Sequence, residues 1–326
     1  MKKFRSIALF LSLMLIVLAV VGCTPKNKSN EGLKVEGVEE KNQDTNEDVT
    51  NFPVEIEDNF GNKVTIEKEP MKIVSLAPNN TEVLFALGLG DRVIGVTSYC
   101  DYPEEAKTKE IVGDFNGNNL EKIVELNPDL VLVYGAGDEE DNKVLKDAGI
   151  KVLGFMPETI DAVMKDIETV GKATGKDKEA AELIEAMNTK KNDILDKVKG
   201  QEEVRVFYEI WHDPLMAAGK GSFMDELITL VGGKNIADDA EGAYPQYDLE
   251  QLIEKDPEVY LTAQDMPDKT IESIKARPGY ENISAVKNDK VYLFEGNEAN
   301  LVSRPGPRII ETLEVVAKAI HPEVFK

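Results

Sequence analysis

Residues 119–133 read Asn-Leu-Glu-Lys-Ile-Val-Glu-Leu-Asn-Pro-Asp-Leu-Val-Leu-Val, and 129 residues further on 248–262 read Asp-Leu-Glu-Gln-Leu-Ile-Glu-Lys-Asp-Pro-Glu-Val-Tyr-Leu-Thr. Each copy begins on an Asn or Asp, whose side-chain oxygen caps helix N-termini. Leu120, Ile123 and Val124, like Leu249, Leu252 and Ile253, follow at spacings that share one helix face. Pro128 and Pro257 cannot continue a helix, and the apolar run after each suits a strand buried on both faces. A solenoid needs several short-period repeats. A single recurrence predicts two lobes of like α/β construction, with a ligand cleft between them. Glu121 and Glu250 fall in the first helical turn of their copies, on the solvent side.

Outward from the first copy, the N-terminal half alternates strand and helix. Residues 54–66 alternate apolar and polar around Asn-Phe-Gly-Asn and predict a β-hairpin. Lys72–Leu76 reads as a buried strand, 77–80 as the cap of a helix over Thr81–Leu87, and Asp91–Val96 as the next strand. Residues 97–103, Thr-Ser-Tyr-Cys-Asp-Tyr-Pro, form the loop beyond it. After the repeat, Asp141–Ala148 and Ile150–Gly154 continue the pattern. The C-terminal half offers strand Val204–Ile210, helix Phe223–Leu230, the second copy, a helix near Thr270–Ala276, strand Val291–Phe294 and a closing helix over 307–320. Such alternation implies parallel sheets covered on both faces. Between the halves, Asp177–Lys199 has no Gly or Pro and carries an apolar stripe of Ala180, Leu183, Ile184, Met187, Ile194, Leu195 and Val198. As one helix it spans about 34 Å at 1.5 Å per residue, which predicts small opening motions of the lobes.

The first 23 residues bear on location. Met-Lys-Lys-Phe-Arg gives a positive start, and the apolar run Ile7–Val21 falls short of the roughly 20 residues a membrane span needs. It closes on Val20-Val21-Gly22-Cys23, which resembles the bacterial lipobox, where the cysteine is lipidated; an ordinary signal peptide or a membrane anchor is the alternative. A lipid on Cys23 would hold the protein at the outer face of the cell membrane. Residues 24–51 are polar and charged and read as a disordered tether. The expected organisation is signal peptide and lipobox 1–23, tether 24–51, N-terminal lobe 52–157, helical connector 158–202 and C-terminal lobe 203–326. Cys100 is the one cysteine beyond Cys23, so no disulfide staples the lobes; it reads as a small packed residue, with a reactive thiol as the alternative.

The balance of 61 acidic against 38 basic residues, net −23, argues against nucleic acid as a partner and against adhesion to anionic lipid. Two histidines, His212 and His321, with no HExxH or CxxC, leave no metal site of the usual ligand count. His321 is expected to be solvated. No Gly-x-Ser-x-Gly elbow and no phosphate-binding GxxxxGK[ST] occur. The expectation is a protein without catalytic residues or resident cofactor; a glutamate pair of glycosidase type is the enzymatic alternative.

What the chain does place beyond strand ends, where open α/β sheets bind ligands, is aromatic and polar. In the N-terminal half these are Pro78, Asn79, Tyr99 and Phe115; in the C-terminal half Trp211, His212, Tyr244, Gln246 and Arg304. On both sides of one cleft they predict a flat, partly apolar ligand. Arg304 offers planar donors to carboxylate, amide or phosphate, with a surface ion pair as the alternative.

At Ser75–Glu82 (Ser-Leu-Ala-Pro-Asn-Asn-Thr-Glu), Gly95–Pro103, Asn119–Val124, Tyr244-Pro-Gln246 and Arg304-Pro-Gly-Pro-Arg308 the chain resembles the cobalamin-binding proteins of ABC importers. These stand within a cluster that also holds ferric-siderophore and haem receptors. The resemblance implies a class III periplasmic-binding-protein fold: two Rossmann-like lobes joined by a single long helix. It implies that Tyr99, Phe115, Tyr244 and Arg304 occupy cobalamin-contacting positions, and that Glu121 and Glu250 dock arginines of a permease dimer that works with its ATPase. The Phe115 and Tyr244 positions are often tryptophan in cobalamin binders, and Trp211-His212 adds bulk, with His212 able to approach a metal centre. The expected function is thus a lipid-anchored, monomeric, extracytoplasmic receptor that captures cobalamin and hands it to an ABC importer. The alternatives are a haem or ferric-siderophore receptor of the same fold, or an envelope glycan hydrolase.

Overall fold

In the computed structural model, which describes residues 50–114 and 116–326, the chain opens on the expected hairpin: β1 (Val54–Glu57) pairs antiparallel with β2 (Lys63–Ile66). The signal segment, Cys23, the tether up to residue 49 and Phe115 lie outside the described residues. There follow β3 (Ile73–Ser75), α1 (Pro78–Ala86), β4 (Val93–Thr97), β5 (Glu110–Asp114), β6 (Gly117–Asn118), α2 (Leu120–Leu126), β7 (Leu130–Tyr134), α3 (Glu139–Asp147) and β8 (Lys151–Phe155). Next come α4 (Ile160–Thr174) and α5 (Asp177–Val198). The second half holds β9 (Val204–Trp211), β10 (Met216–Ala217), α6 (Phe223–Leu230), β11 (Gly233–Asn235), α7 (Leu249–Lys255) and β12 (Val259–Ala263). It closes with α8 (Ile271–Lys275), α9 (Ser284–Lys287), β13 (Val291–Phe294), α10 (Asn297–Leu301) and α11 (Ile309–Ile320).

One sheet runs β6-β5-β4-β3-β7-β8, parallel except for β6; the other runs β10-β9-β12-β13, with β11 also on β9 and β10 antiparallel. Both are doubly wound, since the chain order reverses beside the central strand. Interior strand β7 (Leu-Val-Leu-Val) is buried on both faces, as its unbroken apolar run requires.

The repeat is duplicated down to single hydrogen bonds. Asn119 caps α2 by accepting from the Lys122 N–H, and Asp248 caps α7 by accepting from Glu250 and Gln251. Both helices stop on a left-handed residue just before the proline, Asn127 at φ 48° and Asp256 at φ 44°. Asn and Asp tolerate that conformation better than other side chains, so the stop comes one residue ahead of the proline. The Asp129 N–H then donates to the Lys72 carbonyl, and the Glu258 N–H to Arg205, each at 2.8 Å. The side chains of the same two acids accept backbone N–H groups from the start of the neighbouring strand: Asp129 from Met71 and Lys72, Glu258 from Arg205.

The connector holds two helices. α5 covers the predicted Asp177–Lys199 but for its last residue, burying Ala180, Met187, Ile194 and Val198, and α4 packs beside it. A Cβ on Gly171 of α4 would stand 2.6 Å from the Cβ of Ala180, so only glycine permits this approach. With α11 these helices join one continuous core reaching from Ile73 and Val93 in the first sheet to Val206 and Leu261 in the second. A shared core of this kind resists large hinge motions.

Three local expectations are corrected. α1 starts at Pro78, whose missing N–H is tolerated at a first helical position, so Asn79 and Asn80 lie in its first turn and are buried. Trp211 ends strand β9 and is not in a loop, because β10 extends the ladder to it. His321 is buried, with Nε2 2.9 Å from the Val231 carbonyl, because α11 carries it into the core. Among the described residues no helix is long and apolar enough to cross a membrane.

Candidate ligand site between the lobes

The site is built where residues beyond strand ends of the two sheets meet. On the first sheet, Tyr99 and Asp101 follow β4, Tyr134 ends β7 and Glu158 follows β8. On the second half, Trp211 ends β9, Tyr244 precedes α7, and Arg304 and Arg308 follow α10.

Two polar bridges cross between them. The Arg304 Nη1 donates to Asp101 Oδ1 at 2.5 Å, Asn300 donates to the other oxygen at 3.2 Å, and Arg304 Nη2 lies 3.4 Å from the Tyr99 carbonyl. Behind this pair Arg308 grips the Glu82 carboxylate of α1 through Nε at 2.7 Å and Nη2 at 2.6 Å, and the Tyr102 ring stacks 3.7 Å from its guanidinium carbon. Bidentate geometry of this kind gives the strongest carboxylate pairing. Burial pushes Asp101 up, but the hydrogen bond and charge of Arg304 outweigh it and hold the carboxyl below its ordinary value. Burial pulls Arg308 down, and Glu82 more than compensates, leaving it above its ordinary value. The second bridge is Tyr244 Oη to Glu158 Oε2 at 3.1 Å. Burial first, and then the Glu158 charge, raise both the Tyr244 and Tyr134 phenols.

The chain locally fixes Tyr244. The Ala217 N–H donates to Pro245, Gly219 to Ala243, and Tyr247 to Leu215, so residues 243–247 run as an added edge beside β10. A Cβ on Gly219 would stand 2.5 Å from the Gly242 carbonyl, which makes glycine necessary there. Gln246 is exposed and makes an isolated bridge to Met216.

The structure distributes the predicted residues unevenly. Tyr99 on the first half and Tyr244 on the second are exposed, 50% and 38%. Arg304 is on the second half too, with its guanidinium engaged by Asp101. Buried Asn79 lies against Gly306 of the Arg304 segment, and Pro78 precedes it at the start of α1. Trp211 is half-buried, its Nε1 donating to the Asp213 carbonyl, and His212 beside it is exposed. Glu121 and Glu250 are exposed in the first turns of α2 and α7. Cys100 is buried within reach of the Thr81 and Thr97 hydroxyls. Sequence reasoning missed Asp101, Tyr134, Glu158, and the Glu82–Arg308 pair. Two of these acids stand inside stretches already singled out, and the signal was their charge against Arg304 and Arg308.

A cavity of about 380 Å³ opens between Leu76 and Val133–Tyr134, where the first sheet reverses its strand order, with Asn118, Asp141 and Asn142 around it. Such reversal points are where open α/β sheets hold ligands. A larger open groove of about 1270 Å³ lies along α4 and α5, lined by Lys172, Asp177 and Ile184, and contains none of the predicted ligand residues. Among the described residues no group of three or more His, Cys, Asp or Glu could hold a metal ion.

Residues 73–297 match the family described as periplasmic binding protein. The chain belongs to the periplasmic binding protein family. It is 41% identical over 283 residues to the uncharacterized ABC transporter substrate-binding lipoprotein YvrC of Bacillus subtilis (strain 168), covering 84% of this chain and 88% of that one. It is 30% identical over 246 residues to a vitamin B12-binding protein of Vibrio cholerae, covering 75% and 87%. Among solved structures, a possible iron-binding (periplasmic solute-binding) protein from Staphylococcus epidermidis superposes with a TM-score of 0.69 at 32% identity, covering 78% of this chain and all of that one. As a periplasmic binding protein, the chain carries the class III fold in its two doubly wound halves and shared helical spine.

Proposed function

We propose that this protein is an extracytoplasmic receptor that takes up cobalamin between its two lobes and delivers it to an ABC importer. The observation that carries the reading is the exposure of three large aromatic residues beside the contacts that join the halves, Tyr99 next to the Arg304–Asp101 pair, Tyr134 at the end of β7 and Tyr244 on Glu158, when side chains of that size ordinarily seek burial. A flat ring system is the kind of ligand such a cleft accommodates. The vitamin B12-binding relative supports the choice of a corrin. Its mechanism is binding and release, with no covalent step. The tyrosines enclose the ligand, with Phe115 and Trp211 as further aromatic walls, and Gln246 and His212 reach its periphery. Lipidation of Cys23 holds the receptor at the outer face of the cell membrane, in keeping with the lipoprotein relative.

Glu121 and Glu250 dock the permease. Two duplicated helices presenting equivalent carboxylates suit a two-fold partner. Changing both to arginine is expected to abolish uptake while ligand affinity stays unchanged; a loss of affinity would place them elsewhere in the mechanism.

The deciding experiment is calorimetric titration of the full chain with cyanocobalamin, haem and a ferric siderophore, with Trp211 fluorescence read in parallel. One-to-one binding of cyanocobalamin alone is the expected result. A second reading, a receptor for an iron complex, is favoured by the Staphylococcus structure, and an isotherm with haem or siderophore alone would establish it.

A further inference from the structure

The cleft's charge is unbalanced in a way that bears on the ligand. Both arginines between α10 and α11 meet carboxylates from the first sheet's side, Arg304 at Asp101 and Arg308 at Glu82, so each guanidinium's charge is already balanced by a protein acid. Glu158 is in the opposite condition. It is half-buried and accepts from the Tyr244 hydroxyl, and among the described residues no Lys, Arg or His forms an ion pair with it. An ionised carboxylate accepts about four hydrogen bonds, and among the described residues the Tyr244 hydroxyl is the one protein donor to it. Tyr134 and Tyr244, one from each side, flank it, and its charge raises both phenols beyond what burial alone does.

We propose that Glu158 sets the charge of the ligand: held between Tyr134 and Tyr244, it selects a neutral or cationic macrocycle bearing hydrogen-bond donors and rejects one bearing acidic substituents. This deepens the receptor reading above and rests on it. Peripheral amide N–H groups of a corrin meet the carboxylate as donors. A ring carboxylate brought to the same place meets an uncompensated like charge in a partly desolvated site, where screening is weaker than in bulk water.

The test uses ligand pairs in which one member carries ring carboxylates that the other lacks: cyanocobalamin against its monocarboxylate, formed by hydrolysis of one peripheral amide, and haem against its dimethyl ester. Wild-type protein is expected to favour the neutral member by about tenfold or more, the scale of one like-charge contact at an intermediate dielectric. Glu158→Gln should bring the two members within about threefold of each other. Should that variant fail to fold, Glu158→Ala takes its place, with the unfolding midpoint as the check on folding, and the same narrowing of the preference is expected. Equal binding of the cobalamin pair by wild type, or a preference that loss of the Glu158 charge leaves intact, would overturn the inference while sparing the receptor reading. Binding of the haem pair alone, with the ester preferred, would overturn cobalamin and sustain Glu158. No binding by either pair would overturn both.

Discussion

The two halves are the same frame filled in two ways. In the register of the two sheets, Val74 pairs with Val131 and Leu76 stands by Val133 in the first; Phe207 pairs with Tyr260 and Glu209 stands by Thr262 in the second. The first set is aliphatic and leaves the 380 Å³ cavity beside Leu76 and Val133. In the second, Glu209 is fully buried and receives Arg277, Tyr260, Lys269 (2.9 Å) and Thr262 (3.3 Å), so Lys269 and Arg277 occupy the corresponding space. The aromatic rings of Phe207, Tyr247, Tyr260 and Tyr280 pack around this network. A backbone repeat fixed by caps and strand-end hydrogen bonds therefore tolerates opposite interiors, provided that every buried polar group finds partners.

Breaking the polar filling should have the largest effect. Glu209→Ala leaves Arg277 and Lys269 buried without their shared anion, a change that costs about 3–5 kcal/mol in comparable sites. Denaturant unfolding of the variant should show that loss, and a change under about 1 kcal/mol would mean the network relaxes into solvent. The equivalent swap in the first half, Leu76→Ala, enlarges an existing cavity and should cost less than a tight core truncation. The pH sign also follows. Burial pushes Glu209 up, but Arg277 and Lys269 hold it below its ordinary 4.5. Its stabilisation is thus present above about pH 4.5 and is lost as pH falls through the lowered folded value.

A buried acid in the first half has the opposite sign. Asp166 on α4 is 4% exposed, accepts one hydrogen bond from Asn59 of the hairpin turn, and leaves Oδ2 without a partner. Burial raises its pKa from 3.8 to about 6, the Asn59 bond opposing only in part. The fold therefore prefers the protonated acid. The penalty is absent below pH 3.8, grows through the window up to about 6, and is complete above it. A shift of about 2 units amounts to a penalty on the order of 3 kcal/mol. Asp166→Asn should remove that dependence and stabilise the protein at pH 7, as read from unfolding midpoints at pH 4 and pH 7. A variant less stable at pH 7 would sink the assignment.

Most of this architecture was legible in the chain, for reasons that differ by element. Periodicity placed α5, α6 and β13, and the repeat placed α2, β7, α7 and β12, because local hydrogen bonding and apolar spacing set them. Short β6, β10 and β11 were not legible, since they owe their pairing to neighbours distant in sequence. Half of the candidate site shared that fate. Tyr99, Tyr244 and Arg304 stand on loops whose residue types drew attention, whereas Glu158 and Tyr134 acquire meaning only when the two halves meet. Arg304 carried two readings, a ligand contact and an ion pair, and only the fold reveals that Asp101 is the acid opposite it.

The smallest effect tests how literal the duplication is. Asp129 and Glu258 are the same position in the two copies, each exchanging hydrogen bonds with the start of the adjacent parallel strand. Neither could be told from a solvated acid in the sequence. Each carboxylate accepts from backbone N–H groups, an interaction worth about 1.5–3 kcal/mol when charged and somewhat less where exposed. Asp129 accepts from two N–H groups and has the weak support of Lys68 at 3.8 Å; Glu258 accepts from one and adds Arg205 at 3.3 Å. Asp129→Ala and Glu258→Ala should therefore destabilise by like amounts, about 1–2 kcal/mol each. Their effects should add in the double variant, because the sites lie in different sheets and share no partner. Additivity would show that the copies act as independent clamps. A double variant much less stable than the sum would mean the two sheets communicate through the common core of α4, α5 and α11, and the likeness of the copies would then be energetic as well as geometric.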